Sequence, residues 1–213
     1  HHYVSWGPNI ETLSGLASVS GFPGRDCTMT QFAYPDPLSA LHGLCAILAA
    51  LEHRREHGAG QRIDLSQLET MIASFGHLVL ETLVDGREPR RLGNGSLSHA
   101  PQGCYPCRGE DRWCVIAVAG EPGWQEFCVL TGHPEWRDDT RFADAQARRE
   151  HAAELDCLIA GWTCTRDRYE VMDLLARGGI ADGVVQDVED QLRRDPHLAA
   201  RGFFEHIVHH RKG

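Results

Sequence analysis

Residues 36–69 read DPLSALHGLCAILAALEHRREHGAGQRIDLSQLE, and the order of their patterns decides the fold class. Asp36 is followed by Pro37, which has no N–H to lose and a φ preset for the first helical position. Residues 38–51 are mostly apolar, with Leu, Ile, Ala and Cys on every face. Such a pattern predicts a buried core helix. The N-terminus of a helix carries unpaired N–H groups and a partial positive charge, so a carboxylate at Asp36 stands where negative charge is favoured. Taken alone, Asp36 also reads as an ordinary N-cap worth about 1 kcal/mol. The helix turns polar from Glu52 and stops at Gly58-Ala59-Gly60, the expected C-terminal signal. A short strand is predicted over 61–65. Ser66-Gln67-Leu68-Glu69 reads as a capping box that opens a second helix, to about Val84. Helix, turn, strand and helix is the rhythm of an α/β domain.

The same stretch resembles the class III CoA-transferases. Asp36 opens the helix as the family's catalytic aspartate does. Ala49-Ala50-Leu51, Arg54, Gly58, Gly60 and Gln61 match the family's helix end. The flanking run 6–16, WGPNIETLSGL, and the later run 195–204, DPHLAARGFF, also look like the family. Its members include formyl-CoA transferase, carnitine CoA-transferase and the related alpha-methylacyl-CoA racemase.

The resemblance implies part of a Rossmann-like domain over residues 1–86, a linker at 87–102 and a small α+β domain at 103–213. It implies a fragment, because family members carry half of the Rossmann-like domain, with most of the CoA grip, ahead of this point. It implies that Asp36 attacks a donor acyl-CoA to form a mixed anhydride. CoA thiolate then gives an aspartyl-CoA thioester, and an acceptor carboxylic acid takes the acyl activation in reverse order. N–H groups of Leu38 and Ser39 would either stabilise the oxyanion or blunt the attack. No cofactor is expected beyond the CoA thioester substrate. An intertwined homodimer is expected, with the apolar-poor linker crossing the partner.

Trp6 separates two branches. Counting back from the aspartate, the racemase branch has a catalytic histidine where this chain has Trp6, and tryptophan cannot move a proton on and off carbon. His1 and His2 lie too early to replace it, so transferase is favoured over racemase. Apart from the family, Trp6 reads as a buried aromatic anchor. Gly93-Asn94-Gly95 lies near the family's glycine-rich lid, which implies a substrate-binding loop, although the spelling departs from poly-glycine; otherwise it is a linker turn. A non-catalytic domain of a larger transferase-like protein is the reading from another class.

The bulk numbers exclude other classes. The chain has 213 residues, 42% hydrophobic and 24% charged, with a net charge of −9. That is ordinary for a globular protein of one or two domains. An acidic chain without a basic run argues against nucleic acid. Its longest apolar stretch ends at Glu52, short of a membrane span. Eight cysteines show no disulfide pattern, which suits a reducing cytoplasm.

Cys104-Tyr105-Pro106-Cys107 lacks the second CxxC of a zinc site and reads as a strand entering a hairpin over 103–119, with structural thiols. Further elements are predicted at 124–131, 145–162 and 167–177 as helices, and at 180–185 and 203–208 as strands. His53 and His57 match the H-x-x-E-H spelling of a metalloprotease but sit in a last helical turn, where such residues are expected anyway. His206, His209 and His210 read as solvated. No metal site is expected. Ser39 and His42 lack the nucleophile elbow of a hydrolase, and His42 reads as core packing.

Overall fold

A computed structural model describes residues 5–208 and 210. The chain divides into two compact units, residues 1–94 and 95–213. The first half of the expected linker is tied to the first unit, where Arg91 Nη1 donates to the Ser18 carbonyl and the Gly93 N–H to that of Gly21. The second half is tied to the other unit, where the Ala100 carbonyl accepts from Arg148 Nε.

The first unit is helical: α1 (Gly7–Leu13), α2 (Leu16–Val19), α3 (Pro35–His57), α4 (Gln67–Ser74) and α5 (Gly76–Asp85). Gly58 ends α3 in the left-handed conformation, φ 72°, returning its N–H to the Arg54 carbonyl. Ser66 caps α4, its Oγ accepting from the Glu69 N–H. The expected single helix to Val84 breaks at Phe75, whose N–H closes back on Ile72 and Ala73. No strand forms among the described residues of this unit. Residues 61–65 are exposed coil rather than the predicted strand, because a strand exists only against a neighbour. They are nevertheless drawn out. From Asp36 to the end of α3 the helix rises about 30 Å at 1.5 Å per residue. Residues 58–66 must recover that distance, since Gln67 touches Asp36. Their reach is also about 30 Å when fully extended.

Helix α3 also departs from its sequence pattern. It is not a core helix here: Pro35 and Ser39 are buried, while Leu41, Leu44, Ile47, Leu48 and Leu51 are exposed. An all-round apolar composition says that a helix expects cover, and this unit supplies cover only at its N-terminal end. His42 is likewise exposed, its Nδ1 on the Leu38 carbonyl.

The second unit closes its own core. A three-stranded antiparallel sheet has the order β1 (Gln102–Pro106), β2 (Trp113–Ala117) and β3 (Ala181–Val184). Tyr105 faces Cys114, and Ile116 faces Asp182. Around it lie α6 (Gly120–Thr131), α7 (Ala145–Glu150), α8 (Ala152–Thr163), α9 (Arg168–Arg177), α10 (Val188–Arg193) and α11 (Pro196–Ala200). The core joins Tyr105, Cys114 and Ile116 to Trp124, Phe127, Phe142, Leu155, Ile159, Trp162 and Leu175. Asp144, Asp167, Asp187 and Asp195 each cap a helix through a side-chain oxygen. The predicted helix 145–162 is interrupted at His151, and 203–208 is exposed coil that pairs with no strand among the described residues. The architecture is thus mixed and helix-rich, with one small antiparallel sheet.

Candidate active site

The first turn of α3 differs from the simple cap that its sequence suggests. Tyr34 is the N-cap, and it is helical (φ −48°, ψ −37°) rather than extended. Pro35 therefore takes the first helical position, Asp36 the second and Pro37 the third. The two prolines have no N–H. The Asp36 N–H is spent on the Ala33 carbonyl at 3.0 Å and that of Leu38 on the Tyr34 carbonyl at 3.2 Å. Ser39 lies a turn inside, where the N–H belongs to the helix ladder. The expected free donors at Leu38 and Ser39 are absent, and this helix start has no orphan N–H left to offer an oxyanion.

What surrounds Asp36 instead comes from α1 and α4. Gln67, the first residue of α4, donates from Nε2 to Asp36 Oδ1 at 3.1 Å. Oδ2 receives no hydrogen bond from the described residues, and it lies on the side of Gly7. A methyl group added to Gly7 would stand 3.7 Å from Oδ2 and only 2.7 Å from the Ala33 Cβ. Gly7 thus lets the chain before α3 pass close while leaving Oδ2 uncovered. Asp36 itself is exposed.

One turn along both helices, buried Ser39 and Thr70 share a hydrogen bond at 2.9 Å, and Thr70 Oγ1 returns to the Gln67 carbonyl at 2.8 Å. Asp36 to Gln67 and Ser39 to Thr70 are equally spaced pairs, so α3 and α4 run side by side in register. Ser39 is a structural lock between helices. Sequence reasoning read Gln67 only as part of a capping box and Gly7 only as part of a matching run. The legible signal was the polar pair three residues apart at the head of both helices, Asp36 with Ser39 and Gln67 with Thr70.

Trp6 precedes Gly7 and is the N-cap of α1, its carbonyl accepting from the N–H groups of Asn9 and Ile10. Its side chain is 74% exposed, so it is not a buried anchor. Gly93 packs on the Gly21–Phe22 turn, where a methyl group would stand 2.6 Å from the Phe22 ring. No hydrogen bond or ion pair joins Gly93, Asn94 or Gly95 to Asp36 among the described residues.

The remaining candidates fall elsewhere. His53 and His57 stack at 4.3 Å on the surface of α3. His206 and His210 are exposed, and His1, His2 and His209 lie outside the described residues. Among the described residues, no group of three or more His, Cys, Asp or Glu could hold a metal ion. Cys107 and Cys114 are buried, and burial pushes both thiols up. No helix among the described residues is long and apolar enough to cross a membrane.

A carboxylate with one oxygen held and one open, at the head of a long helix, suits attack on an activated carbonyl. Comparisons with known proteins give the chain a family. The model of CoA-transferase family III matches residues 1–213, and the chain belongs to that family. Among its relatives, the succinyl-CoA–D-citramalate CoA-transferase of Chloroflexus aurantiacus is 34% identical over 90% of this chain and 47% of its own length. The succinate–glutarate CoA-transferase of Agrobacterium fabrum is 27% identical over 91% of this chain and 48% of its own. A CaiB/BaiF family protein from Brucella suis superposes with a TM-score of 0.81 at 28% identity, over 91% of this chain and 50% of its own. The chain spans about half the length of these relatives.

Proposed function

We propose that the protein carrying this chain moves coenzyme A from an acyl-CoA to a carboxylic acid, with Asp36 as the covalent nucleophile. Asp36 attacks the thioester carbonyl and expels CoA thiolate, leaving a mixed anhydride. The thiolate attacks Cγ of Asp36, expels the donor acid and forms the aspartyl-CoA thioester. The acceptor acid then runs the two steps in reverse and leaves with CoA. The observation that carries this reading is the geometry at the head of α3, with Asp36 Oδ1 held by Gln67 and Oδ2 open beside Gly7. Trp6 lies next to that opening in sequence, and Gly93-Asn94-Gly95 is the proposed substrate loop. The thioester is a substrate, and no permanent cofactor is invoked.

Three further elements belong to the same reading. In the complete protein the extended coil 61–65 pairs as a strand of a Rossmann-like sheet, and the uncovered apolar face of α3 packs against the rest of that domain. The protein is an intertwined homodimer working in the cytoplasm, as the resemblance implies. Succinyl-CoA is the proposed donor, because succinyl-CoA transferases recur among the relatives.

The test uses the protein expressed from its complete reading frame. Incubation with succinyl-CoA and hydroxylamine should convert Asp36 to a hydroxamate, read by mass spectrometry of the peptide. Asp36→Asn should not react and should lose CoA transfer, since it keeps the size of the side chain and removes the nucleophile. Wild-type turnover by Asp36→Asn would overturn the assignment.

A further inference from the structure

Resting on Asp36 as nucleophile, the geometry points to a division of labour between its two oxygens. We propose that Oδ2 does the attacking, and that Gln67 holds Oδ1 throughout the cycle as the oxyanion donor.

Gln67 Nε2 donates to Oδ1 at 3.1 Å, while Oδ2 lies 3.7 Å from where a methyl group on Gly7 would stand. The carboxylate is therefore presented in one orientation. When Oδ2 bonds to the acyl carbon and CoA thiolate leaves, Oδ1 becomes the carbonyl oxygen of the anhydride. The returning thiolate bonds to Cγ, and the electron pair of the C=O moves onto Oδ1. Collapse breaks the Cγ–Oδ2 bond, and Oδ2 departs in the donor acid. The thioester that remains is Cγ(=Oδ1)–S. Attack by the acceptor acid at Cγ again puts the charge on Oδ1, and collapse returns CoA thiolate. That thiolate then takes the acceptor's acyl carbon, and Asp36 is released with one oxygen from the acceptor. Both attacks at Cγ load charge on the same atom, and Gln67 is the donor already in contact with it. A fixed donor where charge develops is the requirement for oxyanion stabilisation.

The start of α3 cannot take this role. Its prolines lack N–H groups, and those of Asp36 and Leu38 are spent on Ala33 and Tyr34. Gln67 is held for the task by the Ser66 cap that starts α4 and by the Ser39–Thr70 bond one turn away. It sits on the surface at a helix start, so replacing it does not open the core.

The cycle exchanges one oxygen of Asp36 per turnover and keeps the other for as long as the carboxylate does not flip. This gives a test in the complete protein, with succinyl-CoA and oxygen-18-labelled succinate, an exchange that needs no second acid. After many turnovers, mass spectrometry of the Asp36 peptide should show a single heavy oxygen in the wild type. Gln67→Leu should lower kcat about a hundredfold and let Asp36 accumulate label in both oxygens. Double labelling of the wild type overturns the fixed orientation and leaves Asp36 as the nucleophile. A single label in Gln67→Leu overturns the role of Gln67. Exchange into succinyl-CoA with no label in Asp36 overturns the nucleophile and this proposal with it.

Discussion

The two units of this chain handle apolar residues in opposite ways. In residues 95–213 the large side chains close on one another: Phe127, Phe142, Leu155, Ile159 and Leu175 are fully buried, and five aromatic rings meet edge or face around Phe127 and Trp124. In residues 1–94 the longest helix shows Leu41, Leu44, Ile47, Leu48 and Leu51 to solvent. Two ion pairs illustrate the contrast. Arg148 in the second unit is spanned by the Ala100 and Phe142 carbonyls and both oxygens of Glu121, whereas Arg55 and Glu52 pair on the exposed surface of α3. The second unit has a closed core, and the first is a platform that holds a carboxylate. The proposed functional residues stand on the platform, where little packing opposes a change of side chain.

The largest expected effect tests this difference directly. Phe127→Ala removes the ring at the centre of the second core and should cost about 3–5 kcal/mol of unfolding free energy. Leu48→Ala, on a residue 57% exposed, should stay within about 0.5 kcal/mol in the 213-residue chain. Urea titration followed by circular dichroism measures both. Repeating Leu48→Ala in the protein from its complete reading frame sharpens the comparison. If the rest of the domain covers α3, the same substitution should then cost about 2–5 kcal/mol.

Ion pairs extend the contrast. Arg168 and Asp190 are both buried, and Arg168 also reaches the Val185 carbonyl. Asp190→Ala leaves a guanidinium without its counter-charge inside the protein and should cost about 3 kcal/mol. Glu52→Ala on α3 should leave the urea midpoint unmoved, because exposed pairs contribute little. Equal shifts for the two variants would refute the division between a closed and an open unit.

Much of the fold was legible because its signals are local. Asp167 caps α9 where a helix was expected, and the glycines at 58, 86 and 132 end their helices. The hairpin and β3 follow from alternation between turn residues. What failed depended on partners. Residues 61–65 and 203–208 have the composition of strands, but composition cannot say whether another strand lies alongside. The burial of α3 failed for the same reason. The break at His151 has no Gly or Pro to announce it, and the one at Phe75 stands beside Gly76, a signal that the apolar pattern overrode. At the site, Asp36 was legible through motif and resemblance. Gln67 and Gly7 were not, because both owe their place beside Asp36 to tertiary contacts.

The last effect concerns a carboxylate that the closed unit leaves poorly satisfied. Asp182 points inward from β3 opposite Ile116, and its Oδ2 is buried without a hydrogen-bond partner among the described residues. Desolvation, and then the nearby charge of Asp173, push its carboxyl up to about 6. An ordinary aspartate in the unfolded chain titrates near ~3.9. Between these values the folded state holds the proton more tightly, so stability falls as pH rises through that window. The loss is complete above about pH 6 and absent below about pH 4. The carboxylate is partly open to water, which reduces the cost to about 1 kcal/mol. Asp182→Asn should therefore raise stability by about 1 kcal/mol near pH 7.5 and leave it unchanged near pH 4. Comparing variant with wild type at each pH cancels the titration of every other group. A gain of the same size at both pH values would mean that the amide improves packing, and that Asp182 carries no charge penalty.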